Sequence, residues 1–186
     1  MLALLERWFA RLESRKDSML TGLDSWPQSD LEFCHRPGAW SALQVLDHLQ
    51  RTEQSILDVM VARIPDSRPA SLKDGLGAVF LIGLFLLPSR VTVPGTASEV
   101  LPSAAAGLEE ISQRWDGTRT ELAAVLDGFP FASLRCGVFK HPVSGWMTMP
   151  QTLRFLSAHL VHHGYQLRRL ESALSARVND MAALRR

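Results

Sequence analysis

Apolar residues recur along most of this chain at steps of three and four, the spacing that puts one hydrophobic stripe on a helix. Near the start Leu5, Trp8, Phe9, Leu12, Met19, Leu20 and Leu23 keep that spacing and predict a first helix. Gly22 and the stretch Trp26-Pro27-Gln28-Ser29-Asp30 interrupt it, and a loop through His35-Arg36-Pro37-Gly38 follows. Ser41 with Gln44 three residues on has the spacing of a capping box, in which each side chain satisfies a backbone N–H of the other's turn. Ala42, Val45, Leu46, Leu49, Ile56 and Met60 then form one stripe up to Pro65, a second helix of about six turns. The loop Asp66 to Ala70 leads into an apolar run over 76–87, stopped by Pro88.

Ser89 to Ser103, with Pro94, Gly95 and Pro102, reads as an extended crossover. Leu108, Ile111, Trp115, Leu122 and Val125 restore helical spacing up to Gly128. Gly128 to Met147 reads as irregular, with Pro130, Gly137, Pro142 and Gly145. Thr148 and Gln151 open a last helix with a second capping-box spacing, and Pro150 is tolerated in its first turn because its missing N–H would have no intrahelical partner there. Leu153, Leu156, Leu160, Leu167, Leu170 and Leu174 supply the buried stripe. No strand-like alternation of useful length and no internal repeat is evident. The pattern predicts an all-α protein, a helical bundle of four long helices with one extra short apolar segment and a long crossover.

Composition narrows the function classes more than it names one. At 186 residues one domain spanning 1–186 is expected. A net charge of +1, with Lys and Arg scattered among acids, lacks the basic patch of a nucleic-acid binder. Cys34 and Cys136 form no CxxC pair and read as two reduced thiols of a cytoplasmic protein. Met1 to Glu6 reaches a charge after four apolar residues without a basic leader, unlike a signal peptide. The run over 76–87 falls short of the roughly 20 apolar residues that span a bilayer, and reads instead as a buried or oligomer-facing helix.

The candidate chemistry lies in the histidines. His35 and His141 fall in loops, and the other four on helices. Residues four apart stand on one helical face, so His159 and His163 can aim both imidazoles at one ion. At 100° per residue His163 lies about 30° from the middle of the leucine stripe, His159 about 70°, and His162 about 130°, on the outer, solvated face. His48 sits roughly 110° from the middle of the second helix's stripe, at its border, and supplies a third ligand. Three histidines from two helices leave coordination positions open, as catalytic rather than structural metal sites do.

The segment Pro37-Gly-Ala-Trp40-Ser41-Ala-Leu-Gln44-Val-Leu-Asp-His48-Leu49 resembles the second-helix signature of the DinB-like family, where a Trp-Ser start precedes the first metal histidine. His141-Pro142-Val-Ser-Gly145, Thr148 and then His159-Leu-Val-His162-His163-Gly-Tyr-Gln166-Leu167 resemble that family's last helix and its lead-in. The resemblance covers essentially the whole chain. It implies a four-helix bundle of up-down-down-up type, commonly a homodimer, with a divalent metal held by His48, His159 and His163. His141 matches a lead-in histidine that is not a ligand. Some relatives are thiol-dependent transferases or isomerases that work with bacillithiol, mycothiol or glutathione, and many have no established activity.

Two functions follow. The first is an enzyme, a metal-dependent thiol S-transferase or a related isomerase or hydrolase, whose metal favours the thiolate of a low-molecular-weight thiol. Gln44, Thr52, Tyr165 and Gln166 are then candidate contacts around the metal or a small-molecule substrate, while neither Asp47 nor Glu53 can be assigned as a base from spacing. The second is a non-catalytic bundle in which the ion ties two helices together. Three imidazoles do not encode the metal: zinc or nickel is expected first, iron or manganese after them. A membrane-peripheral role for 76–87 is disfavoured by the lack of a basic flank, with Lys73 and Arg90 the only nearby positive charges.

Overall fold

A computed structural model describes residues 1–64, 67–88, 100–102 and 106–183. The described residues form six α-helices: α1 (Ala3–Asp24), the short α2 (Gln28–Leu31), α3 (Ala42–Arg63), α4 (Leu72–Phe85), α5 (Leu108–Asp127) and α6 (Met149–Ala183). The helix starts follow local chemistry. Ser41 Oγ accepts the Gln44 N–H and Gln44 Oε1 accepts the Ser41 N–H, the expected box in full. Ser71 and Asp74 form a second such box at α4, a start that the apolar run alone did not signal. At α6, Gln151 Oε1 accepts the Thr148 N–H at 2.9 Å, and Pro150 sits in the first turn.

Cross-helix contacts set the directions. Arg154 lies over Trp8 and the Arg15 guanidinium donates to the Ser157 carbonyl, so α1 and α6 run the same way. Asp47 meets Arg114, Gln50 meets Thr118 and Gln54 meets Glu121, so α3 and α5 also run parallel. Met1 pairs with Asp127 while Lys16 pairs with Asp116, which makes α1 antiparallel to α5. Trp40 stacks near His163 while His48 reaches His159, which makes α3 antiparallel to α6. The result is an up-down-down-up four-helix bundle of α1, α3, α5 and α6. Its core includes Leu5, Leu12, Val45, Leu49, Met60, Ile111, Trp115, Leu126, Leu153 and Leu170, all fully buried, which are largely the stripes that the spacing predicts.

One expectation about the chain's elements needs correction. The stretch read as irregular holds a 3-10 turn (Phe131–Arg135) and a hairpin, β2 (Cys136–His141) and β3 (Gly145–Thr148), joined by a dipeptide β1 (Arg68–Pro69) into an antiparallel sheet of order β1-β2-β3. Gly145 turns the hairpin at φ +81°, a conformation open to glycine, and Asp74 Oδ1 occupies the space a Cβ would need. Asp74 also accepts the Trp146 N–H at 3.0 Å, which pins β3 to the start of α4. A Cβ on Gly77 would collide with the Ser144 carbonyl, so the helix and hairpin meet backbone to backbone. The apolar run forms a helix as expected: α4 begins at Leu72, ahead of the run, and buries Ala78, Leu81, Ile82 and Phe85 on the bundle. Most of the expected crossover from Ser89 to Ser103 lies outside the described residues. Among the described residues no helix is long and apolar enough to cross a membrane.

Candidate metal centre

His48 from α3 and His159 and His163 from α6 converge where those helices cross. Their Nε2 atoms face one another: His159 Nε2 lies 3.3 Å from His48 Nε2 and 3.0 Å from His163 Nε2. The three ligand atoms fall within 4.8 Å of one another, and all three residues are buried. The opposite edges of two rings are anchored. His48 Nδ1 donates to the Val100 carbonyl at 2.6 Å, and His163 Nδ1 donates to Gln166 Oε1 at 3.0 Å. A neutral imidazole carries one N–H, so these two anchors leave bare lone pairs on both inward Nε2 atoms.

The third ring shows what the cluster fits. Without a cation, the one proton available on His159 Nε2 can be shared between two lone pairs but cannot fully satisfy both, and it leaves His159 Nδ1 as a bare acceptor. His159 Nδ1 is buried and has no hydrogen-bond partner among the described residues. A divalent cation among the three Nε2 atoms resolves the conflict. Zn–N bonds of about 2.0–2.1 Å give tetrahedral N···N edges of roughly 3.3–3.4 Å, close to the two edges through His159, while the three atoms together span up to 4.8 Å. The donor set therefore fits a divalent first-row metal ion.

Burial keeps the imidazoles neutral, as ligation requires. His159 is pushed well below the usual histidine range by desolvation first, then by His163, His48 and His162. Desolvation, reinforced by His48, takes His163 down to about 3. His48 is also lowered by burial, against the opposing pull of the Val100 carbonyl and Asp47. The sign is that of groups whose folded pKa lies below the unfolded one: as pH falls, the unfolded chain takes up protons first. Stability is therefore expected to be fully present above about pH 6.5, the free histidine value, and to be lost progressively as pH falls from there towards the depressed folded values. Thermal unfolding of chelator-treated protein between pH 8 and 5, above the range where carboxylates protonate, reads this directly; a flat melting temperature across that window would show that these rings are not held neutral.

Aromatic rings wall the site. Trp40 lies 4.8 Å from His48 and stacks 6.2 Å from His163, Phe155 stacks 5.8 Å from His159, and Phe85 meets His159 edge-on at 5.5 Å. Of the other sequence candidates, Gln166 reaches a cluster histidine as described. Gln44 is committed to its cap, and the Tyr165 hydroxyl donates to the Leu86 carbonyl. The Thr52 hydroxyl is buried one turn beyond His48 with no hydrogen-bond partner among the described residues. Asp47 and Glu53 are held by Arg114 at 2.6 Å and by Arg119 at 2.8 Å. His141 stands outside the cluster with its ring 5.1 Å from Phe155, and His35 is exposed. The expectation that His162 faces solvent is overturned: it is buried, with its ring 5.1 Å from Phe85. Sequence reasoning missed Phe85, Phe155 and the Val100 carbonyl; only the aromatic identity of the first two offered any signal.

Comparison with curated proteins and with solved structures finds no match. A model of the DinB superfamily matches residues 10–167, which takes in α3 and the first part of α6, with His48, His159 and His163. The chain belongs to the DinB superfamily.

Proposed function

We propose that this protein binds one divalent metal ion, zinc or nickel, through Nε2 of His48, His159 and His163, and uses it as a thiol S-transferase on a small electrophilic substrate. The observation that supports this reading is the set of three inward Nε2 atoms, two of them stripped of protons by outward hydrogen bonds to Val100 and Gln166. A bound ion in such a site favours the deprotonated form of a thiol that reaches an open coordination position. The chain's own residues do the rest. Gln166 and the Val100 carbonyl hold the tautomers, and Trp40, Phe85 and Phe155 exclude water around the reacting sulfur. Thiol transfer fits better than hydrolysis, because hydrolysis calls for a general base and the candidate carboxylates of α3, Asp47 and Glu53, are tied to arginines.

Cobalt serves as a visible probe of this reading. Co(II) added to metal-free protein is expected to give the intense d–d bands of a low-coordinate site, and glutathione or bacillithiol to add a sulfur-to-cobalt charge-transfer band. Failure to take up cobalt, zinc or nickel sinks the metal reading altogether. Uptake with a spectrum indifferent to thiols removes the transferase and leaves the other reading, an ion that ties α3 to α6.

A further inference from the structure

The charges of α1 are sorted onto two edges. Its acids Glu13 and Asp17 pair with Lys16, and Glu13 also with Arg119 of α5. The edge that meets α6 carries Arg7, Arg11 and Arg15, one turn apart and within about 80° of one another at 100° per residue. Arg154 of α6 joins them: Arg11 and Arg154 lie 5.0 and 5.4 Å from the Trp8 ring, and Arg15 donates to the Ser157 carbonyl. None of these four arginines pairs with a carboxylate among the described residues. Beyond Arg15 the seam between α1 and α6 opens into a groove of about 390 Å³, lined by Met19, Leu23, Trp26, Leu160, Val161 and Leu167. Gly22 and Gly164 keep it open, and nothing lies within 4 Å of where a Cβ on Gly22 would be. We propose that this seam binds a small amphipathic anion, with its oxyanion head on Arg11, Arg15 and Arg154 and its apolar body in the groove.

Like charges four residues apart repel along a helix, so a row of arginines without acids is a strain that a bound anion relieves. Burial first, and the Arg11 charge after it, lower the Arg15 pKa, as expected of a cation short of a counter-ion. A guanidinium laid on an aromatic face keeps its N–H edge free, and that planar edge matches a carboxylate or phosphate through two parallel hydrogen bonds. The groove sets the rest of the ligand. Its volume falls in the range of small-molecule sites, roughly 300–1,000 Å³. A nucleic acid needs cations along its whole path, whereas here the polar side chains between Arg15 and the far end at Arg168 and Glu171 are Ser14 and Ser18. A membrane-surface helix projects its apolar side chains outward, whereas Leu23, Leu160 and Leu167 are buried in this floor. A free molecule is therefore the occupant. The groove lies about 120° around α6 from His159 and His163, so the site is separate from the metal centre and does not depend on it.

Decanoate serves as the probe and decan-1-ol as its uncharged counterpart. Isothermal titration calorimetry on the full chain is expected to show decanoate bound about tenfold more tightly than decanol, and more weakly as salt is added. Arg11→Gln combined with Arg154→Gln is expected to remove that difference and leave decanol binding unchanged. Gly22→Leu fills the groove and is expected to abolish uptake of both while the helical circular dichroism is retained. Arg11 and Arg154 are exposed, so the arginine pair gives a readout that stands even if Gly22→Leu does not fold. No uptake of decanoate, equal affinity for decanol, an affinity untouched by the arginine pair, or decanoate that still binds folded Gly22→Leu would each overturn the inference. So would co-sedimentation with phosphatidylglycerol vesicles by a protein that ignores free decanoate.

Discussion

His159→Phe is expected to leave the metal-free protein at least as stable as the wild type and to abolish its stabilisation by zinc. The two effects have one cause. His159 is buried with an Nδ1 that has no partner among the described residues and with its Nε2 pressed against two other ring nitrogens. A buried polar group without a partner costs about 1–3 kcal/mol, and an apolar ring of similar size between Phe155 and Phe85 carries no such penalty. In the wild type, zinc at a thousandfold excess over its dissociation constant adds about 4 kcal/mol. At roughly 2–4 °C per kcal/mol for a chain of this size, that is a rise of about 8–16 °C in melting temperature. Losing one of three ligands is expected to remove nearly all of it. Gln166→Ala is the graded comparison: it removes only the acceptor that fixes the His163 tautomer, and losses of that kind cost about 10–100-fold in metal affinity. Differential scanning fluorimetry with and without zinc reads both variants. A His159→Phe protein whose melting temperature still climbs with zinc would place the ion elsewhere, and one that is destabilised without metal would make His159 a packing residue.

Local rules made the helices and the pair on α6 legible. A periodic stripe fixes which residues face inward, capping chemistry fixes where the helix begins, and i,i+4 spacing alone puts His159 beside His163. Those rules fail where burial comes from elements distant in sequence. The helical wheel set His162 outside and His48 at a border because it assumes that each helix buries one face. Here α4 covers the far side of α6, so Phe85 buries His162, while Trp40 and the Val100 segment cover His48. The hairpin was missed for another reason. Its strands hold six and four residues, too short to show alternation, and its position depends on Asp74 and Gly77 of α4 meeting the turn at Ser144 and Gly145. For His48 the helical wheel gives only a border position, to which the pair on α6 and the resemblance to a family signature add. Its role depends on a fold-level meeting of α3 and α6 that no local pattern in this chain encodes.

The largest effect on folding is expected from a charge that the sequence left unassigned. Glu53 on α3 is 2% exposed and receives three donors: Arg119 Nε and Nη2, each at 2.8 Å, and Trp115 Nε1 at 2.7 Å. Arg119 is as deeply buried and donates its remaining arm to Glu13 of α1 at 3.0 Å. One guanidinium thus ties α5 to both α1 and α3. Removing one partner of a buried pair strands the other charge, which typically costs about 3–5 kcal/mol. Arg119→Met is therefore expected to destabilise the protein by that amount, a large share of the ~5–15 kcal/mol that holds a domain together. The double variant Glu53→Gln, Arg119→Met is expected to recover most of the loss, because the glutamine oxygen still accepts the Trp115 N–H and neither charge of the pair is left buried alone. Urea unfolding of wild type, both single variants and the double gives the coupling energy. Costs that simply add, with the double variant the least stable, would show that each side chain acts through packing and that the ion pair itself does not join the helices.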